Sequence, residues 1–439
     1  MNRYRGRLIA GVAALALTGT AVTVGINQFD DGAAGGPAPS TAASAKATPG
    51  EMSDKEKADR RKEVDVVLAR RATAVRKGNL KAFLANVDPK QPALVKRQRT
   101  LFVNLRKFGF ASLRYFVADE REAPGLVAKY GSTTFSTRVM MRYRLAKLDN
   151  KPVQTDLGYV FVRRGGKWVL VEDSAIDETL SANGHRQPWD FQEVAIVRRG
   201  PLVIVVDKDE AALGKKIARV STGAVKAVRR HWPRPWNGAV LVVAMSEPRV
   251  MTTLWQTGGV DNGWTIAAKA VALYDGEPLD ADNNAPLGSR IVINPALRKK
   301  LTEDLLVHEL THVATIPLGP FTPQWLGEGT AEYVRCRSIE DDPHWTVDPY
   351  RKRVRTKYLK PMKVLPGQAE FYRNGDQSYG QSWWAIEYLV SKEGVDGMAA
   401  LFADLAAHGT SEAAYAAILK RHTGKTPKQL TAAVKKFRG

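Results

Sequence analysis

Cysteine is almost absent from the 439-residue sequence, in which Cys336 is the single example. One thiol cannot form an intrachain disulfide, and its isolation excludes cysteine-rich zinc sites and iron–sulfur clusters as the source of function. No Cys–His nucleophile signature surrounds it, so Cys336 is predicted to be a structural thiol. Histidine is also scarce, with 7 in the chain. A metal site would therefore have to combine histidines with carboxylates.

Acidic residues are outnumbered, since 45 Asp and Glu stand against 66 Lys and Arg and leave a net charge of +21. This charge favours anionic partners. The basic residues of the segment 54–77 are not interleaved with aromatic or glycine-rich recognition patterns, so the sequence predicts no nucleic-acid partner. Anionic lipids or envelope polymers are the partners that we expect from the charge.

Charge is missing altogether from residues 8–26, which follow Arg3, Arg5 and Arg7. An uncharged run of this length can cross a bilayer, and the arginines before it favour a cytoplasmic N-terminus. The sequence thus predicts that residues 1–29 are a membrane anchor or signal segment. The protein would be a single-pass cell-membrane protein with its C-terminal domains outside, or a secreted protein if the segment is cleaved. Residues 30–52, rich in Gly, Ala, Pro, Ser and Thr, are predicted to be a flexible linker.

Residues 53–185 change from a helical to a strand pattern. Apolar residues at helical spacing predict a first helix from about residue 53 to residue 78, and period-two alternation predicts four strands over residues 112–117, 136–145, 157–163 and 167–172. Adjacent Gly165 and Gly166 predict a tight hairpin between the last two strands. Helices ahead of a meander that ends in GYVFVRRGGKWVLVED resemble the NTF2-like fold. We therefore expect an NTF2-like α+β domain here, a fold that by itself assigns no chemistry.

A second unit is predicted over residues 186–439. Its first half contains a strand at 202–206, a helix at 210–231, a strand at 239–245 and apolar runs at 265–274 and 290–294. Three further helices, over 395–408, 411–421 and 426–437, are predicted to close the chain as a helical subdomain.

The segment from Thr302 to His312 carries the chemistry. It is predicted to form a short helix, with Thr302 as N-cap, that ends by Pro317. His308 and His312 are then one turn apart, so both imidazoles can reach one metal ion. Glu309 lies beside them in an HExxH arrangement, in which the carboxylate acts as general base toward a water activated by zinc.

A second helix is predicted downstream, with Thr322 as N-cap and Pro323 in its first turn. This helix carries the string WLGEGTAEY, which includes Glu328. The two motifs together resemble the gluzincin metallopeptidases, in which a Glu of the next helix completes an HExxH zinc site. The resemblance implies that His308, His312 and Glu328 bind Zn²⁺. The metzincin continuation is excluded, because Thr315 and Leu318 occupy its Gly and His positions.

The same resemblance suggests roles for two further residues. Glu332, one turn after Glu328, is expected to be an outer carboxylate that orients a ligating imidazole. Tyr379, which precedes an apolar helix, is the candidate donor to the oxyanion of the tetrahedral intermediate. Tyr372 and His344 are the alternatives for that donor.

The resulting expectation is an α+β protein in which an NTF2-like domain precedes a gluzincin-type zinc peptidase unit, with a small mixed sheet, active-site helices and a helical C-terminal subdomain. It would be a membrane-tethered, extracytoplasmic zinc metallopeptidase acting on peptides or proteins. Two other functions stay open from sequence alone. One is an amidase acting on non-peptide amides, and the other is an envelope binding protein with a structural or silent metal site.

Overall fold

The computed structural model describes residues 52–180, 186–251, 267–273, 286–367 and 371–439. Helix accounts for 54% and strand for 20% of the structure, and the sheets are small. The predicted mixture of helices and small sheets is thereby confirmed. The finer division into domains at residues 185 and 186 stays a prediction.

Helices precede an antiparallel meander in the N-terminal part. The elements are α1 (Asp54–Lys77), α2 (Leu80–Leu84), α3 (Pro92–Phe108), β1 (Phe110–Glu120), α4 (Pro124–Tyr130), β2 (Phe135–Leu145), β3 (Val153–Arg164) and β4 (Lys167–Glu172). The strands pair in the order β1-β2-β3-β4, each antiparallel to the next. The helix and the four strands expected from sequence are present, whereas α4 was not predicted.

Local sequence signals set the ends of these elements. Ser53 and Glu56 form a capping box at the start of α1. Gly165 and Gly166 adopt φ values of 54° and 73° between β3 and β4, which confirms the predicted hairpin. Left-handed backbone of this kind is open to glycine without the steric cost that a Cβ imposes.

The second sheet is mixed and has five strands. They are β5 (Val194–Arg199), β6 (Leu202–Asp207), β7 (Val240–Val243), β8 (Ala268–Leu273) and β9 (Gly288–Ile293). The order is β5-β6-β7-β9-β8, with β6, β7 and β9 parallel and the two edge strands antiparallel. Helix α5 (Ala211–His231) connects β6 to β7. Strand β5 was missed from sequence.

The C-terminal part of the chain, from residue 303 onward, is helical. It contains α6 (Glu303–Thr315), α7 (Gln324–Glu340), α8 (Asp348–Arg353), a π-helical turn (Val354–Tyr358), α9 (Gly375–His408), α10 (Glu412–Thr423) and α11 (Pro427–Lys436). Short 3₁₀ segments lie at Asp177–Thr179, Pro188–Asp190, Lys208–Glu210, Arg298–Lys300 and Ile316–Leu318. Helix α9 is kinked at Gly394, where φ is 71°. The helix predicted from residue 395 is the part of α9 beyond this kink.

The central strands of the second sheet are buried on both faces and contact two separate apolar clusters. Ile204 of β6 belongs to the apolar cluster that includes residues of α5, α6, α7 and α9. Its neighbour Val205, on the opposite face, belongs to the cluster that includes residues of α1, α3 and the first sheet. Trp189 stands edge-on to Tyr143 in that cluster, with ring centroids 5.0 Å apart. The second sheet therefore contacts both apolar clusters, and α6 packs against one of its faces.

The structure does not bear out the prediction of a membrane protein. Over the described ranges, no helix combines the length and the apolar character that a bilayer crossing needs. The prediction depended on residues 8–26, which lie outside the described ranges together with the predicted linker up to residue 51. An uncharged run meets the length requirement of a spanning helix, but the run alone does not establish one.

Candidate metal centre

Helix α6 carries the HExxH segment and is buried on most of its circumference. Thr302 stands at the N-cap position as predicted, but its side chain makes no capping hydrogen bond. Glu303 in the first turn instead complements the positive end of the helix dipole. The helix ends at Thr315, and Pro317 lies within the 3₁₀ turn that follows. The predicted helix end is therefore confirmed.

His308 and His312 bring their imidazoles together on one side of α6. The two Nε2 atoms are 3.2 Å apart, and the ring centroids are separated by 4.9 Å. The contact follows from helix geometry, because residues four apart project from the same face. Two nitrogen atoms are thus turned toward one point.

Glu328 reaches the same point from α7. Its Oε2 lies 3.1 Å from His308 Nε2 and 3.3 Å from His312 Nε2. Ligand atoms held tetrahedrally at about 2.0–2.1 Å from a zinc ion are separated by roughly 3.3 Å, so the triangle has the size that such an ion requires. Within the described residues, these three form the group of His, Cys, Asp and Glu side chains able to hold a metal ion.

The position of α7 depends on the glycine that follows Glu328. A Cβ added to Gly329 would lie 2.5 Å from the backbone oxygen of Ser382 in α9. Only glycine allows the two helices to approach this closely without a shift. The helix begins at Gln324, after Pro323, so the predicted N-cap at Thr322 is wrong by one residue.

Glu332 lies behind the histidine pair. Its Oε1 is 2.9 Å from His308 Nδ1, and its Oε2 accepts a hydrogen bond from Arg335 Nη2 at 2.7 Å. The predicted outer carboxylate is therefore beside the imidazole that it was expected to orient. Arg335 was not singled out from sequence, although its spacing of one helical turn from Glu332 is visible there.

Glu309 is buried beside the triangle and is not part of it. Its Oε2 accepts a hydrogen bond of 2.8 Å from the backbone amide of Ala270, in edge strand β8. Strand β8 thus fixes the side chain that was predicted to act as general base. No signal in the sequence identifies Ala270, because an amide donor can come from any residue type except proline.

The three candidates for the oxyanion donor have different surroundings. Tyr379, in the first turns of α9, is half-buried and stands edge-on to His308, with ring centroids 5.8 Å apart. Tyr372 is also half-buried, with its hydroxyl 3.3 Å from Glu328 Oε1. His344 is exposed and pairs with Asp342, so the structure does not bring it to the centre.

The charged groups of the centre shift one another's pKa. Burial lowers the pKa of His308, but hydrogen bonds to Glu328 and Glu332 outweigh burial and raise it. Burial raises the pKa of Glu328, yet the interactions with His312 and His308 hold it well below its usual range. Burial dominates for Glu309, whose pKa is raised. Glu328 thus favours positive charge between itself and the two imidazoles, as a cation site requires.

Comparisons with known proteins add no assignment. A scan against protein-family models and a search of the curated proteins both return no match. A proposal for the function must therefore depend on the geometry of the centre and on its sequence motifs.

Proposed function

We propose that this chain is a zinc-dependent hydrolase of the gluzincin type that cleaves peptide bonds. The observation that carries the proposal is the buried triangle of His308, His312 and Glu328, with Nε2–Nε2 and Nε2–Oε2 distances of 3.1–3.3 Å. Glu309 and Tyr379 beside this triangle supply the proton acceptor and the donor that amide hydrolysis needs.

Zinc is the ion that this donor set favours. Two imidazole nitrogens and one carboxylate suit Zn²⁺, whereas Mg²⁺ and Ca²⁺ prefer sites made of oxygen. Three protein ligands also leave a fourth position open, as in catalytic zinc sites. The side chain of His312 is 22% exposed, so solvent reaches this side of the centre. Zinc bound here would supply Lewis-acid polarisation of a carbonyl group and would lower the pKa of a coordinated water.

Glu309 would accept the proton of the attacking water and later donate it to the leaving group. One of its oxygens is held by the Ala270 amide, and the other is assigned the proton of the attacking water. The same carboxyl group would then pass that proton to the leaving amine nitrogen. Tyr379 would donate its hydroxyl hydrogen to the oxyanion, a role for a neutral phenol that is consistent with its pKa, which burial raises well above the usual value.

The fold is consistent with the same proposal, but it is weaker support than the metal centre. The meander β1–β4 behind α1–α3 is similar in arrangement to the NTF2-like fold, and residues 186–439 combine a mixed sheet, two motif helices and a helical end. We propose that these are an NTF2-like domain and a gluzincin-type unit. Fold similarity of this kind does not assign a reaction, so the centre remains the basis.

A digest of a mixed peptide library tests the proposal. The parent chain, Glu309→Gln and His312→Ala are incubated side by side with zinc, and the products are read by mass spectrometry. We expect the parent to cleave, Glu309→Gln to cleave about 10²- to 10⁴-fold more slowly while keeping its metal, and His312→Ala to lose both metal and activity.

Other results would change the proposed function or the residue proposed as its base. Cleavage by Glu309→Gln at the parental rate would place the base elsewhere. If peptides stay intact while non-peptide amides are hydrolysed, the protein is an amidase. If the parent binds zinc and turns over neither class, the site is structural.

A further inference from the structure

The two oxygens of the Glu328 carboxylate have different surroundings. Oε2 faces the imidazoles of His308 and His312 at 3.1 and 3.3 Å. Oε1 accepts hydrogen bonds from Gln324 Nε2 at 2.8 Å and from the Tyr372 hydroxyl at 3.3 Å. One oxygen is therefore directed at the metal position, and the other is occupied by protein donors.

Gln324, Tyr372 and Glu328 form a closed hydrogen-bonded triangle. Gln324 Nε2 also donates to the Tyr372 hydroxyl at 2.9 Å. The two hydrogens of the amide go to Oε1 and to the hydroxyl, and the hydroxyl hydrogen goes to Oε1. Each donor in the triangle is used once. The reversed amide would set its oxygen against Oε1, so the network defines the orientation of Gln324.

The backbone explains how these residues meet. Gln324 is the first residue of α7, and a spacing of four residues puts it on the same helix face as Glu328. Tyr372 comes from a different part of the chain, just before α9. The side of Glu328 away from the histidines is thus enclosed by one neighbour from its own helix and one from the segment that leads into α9.

We infer that Gln324 and Tyr372 are positioning residues that make Glu328 offer a single oxygen to the metal. The inference rests on the proposed zinc centre. The terminal torsion of a glutamate side chain has a broad, two-fold distribution, so a free Glu328 could turn and present either oxygen or both. Two hydrogen bonds to Oε1 oppose that rotation. Tyr372 then holds the metal ligand Glu328 in place, and Tyr379 remains the candidate donor to the oxyanion.

Metal affinity tests the inference without any assay of turnover. Gln324→Met and Tyr372→Phe each remove donors to Oε1 with little change in volume. We expect the Kd for Zn²⁺, measured against a chelating dye in the full-length protein, to rise about 10- to 100-fold in each variant. The double variant should lose less than the product of the two single effects, because the three side chains form one network. The visible absorption of the Co²⁺-loaded protein should also weaken, as the second oxygen of Glu328 joins the coordination.

Tyr379→Phe is the matched control, since it removes the same hydroxyl group from a tyrosine that contacts the His308 ring. It should bind Zn²⁺ as the parent does.

Parental affinity and Co²⁺ spectra in both Gln324→Met and Tyr372→Phe would overturn the inference and leave the proposed zinc centre intact. A parent that binds no ion would overturn both. Equal weakening in Tyr379→Phe would show a general loss of packing and would also overturn it. If Gln324→Met fails to fold, as judged by thermal unfolding, the Kd of Tyr372→Phe for Zn²⁺ alone tests the inference.

Discussion

Buried charged groups occur in two different arrangements, an ion pair between the two sheets and a group of carboxylates and imidazoles at the metal centre. Arg290 and Asp149 form an ion pair of 2.7 Å between the two sheets, with side chains that are 2% and 0% exposed. The second oxygen of Asp149 accepts the backbone amide of Leu145 at 2.8 Å. The buried acid thus has both an opposite charge and a hydrogen-bond donor.

The centre buries Glu309, Glu328 and Glu332 close together. Arg335 pairs with Glu332, while Glu328 faces the two imidazoles and Glu309 faces a backbone amide. A buried carboxylate is costly unless positive charge accompanies it. The comparison indicates that the first arrangement is a structural ion pair, whereas the second brings together carboxylates and imidazoles that could bind a cation.

The largest effect on stability is expected where the balanced pair is broken. Asp149→Asn keeps an oxygen for the Leu145 amide but leaves Arg290 buried without its counter-charge. We expect the free energy of unfolding to fall by about 3–5 kcal/mol, measured by urea denaturation.

An exposed pair gives the control for that variant. Arg163 and Glu63 are 3.4 Å apart, with side chains 47% and 45% exposed. Arg163→Gln should cost less than about 1 kcal/mol. Equal losses of stability in Asp149→Asn and Arg163→Gln would remove the distinction between a buried ion pair and an exposed one.

A smaller effect, on activity alone, is expected at Tyr379. Loss of an oxyanion donor acts on the transition state, so Tyr379→Phe should lower kcat by about 10²- to 10³-fold. Zinc content and thermal unfolding should stay parental. If Tyr379→Phe retains full kcat, the ring has a packing role, and Tyr379→Ala should then destabilise the fold.

The smallest of the three effects concerns Glu332. Glu332→Gln removes the charge beside His308 Nδ1 and should weaken Zn²⁺ binding by about 10- to 100-fold. Glu340→Gln, an acid of the same helix that pairs with Arg337 and Arg351, is the control and should leave the Kd unchanged. Identical Kd values for all three proteins would show that Glu332 does not act on the metal position.

Part of the centre could be predicted because its geometry is local. A spacing of four residues on a helix is enough to pair His308 with His312. Glu328 lies on the next helix and was expected only because its motif resembles the gluzincin pattern. The period-two strands and the Gly165–Gly166 hairpin likewise depend on neighbouring residues. These features follow from the repeat of a single element.

The remaining contacts could not be predicted because they join distant parts of the chain. The Ala270 amide on Glu309 depends on the register of β8 at the sheet edge, and Tyr372 on Glu328 depends on how α9 packs. Strand β5 was missed because its short sequence carries only a weak pattern and tertiary pairing with β6 decides its conformation. The membrane prediction used an uncharged run and the arginines before it, which lie outside the described ranges, and no helix within those ranges is long and apolar enough to cross a bilayer.

Metal stoichiometry is the most direct test of the account. The purified parent and Glu328→Ala are dialysed at neutral pH against buffer cleared of trace metals, and zinc is counted by inductively coupled plasma mass spectrometry. We predict about one zinc per chain in the parent and none in Glu328→Ala, because loss of a protein ligand opens the site. A parent without zinc, or a Glu328→Ala variant that keeps its full zinc content, would contradict the account.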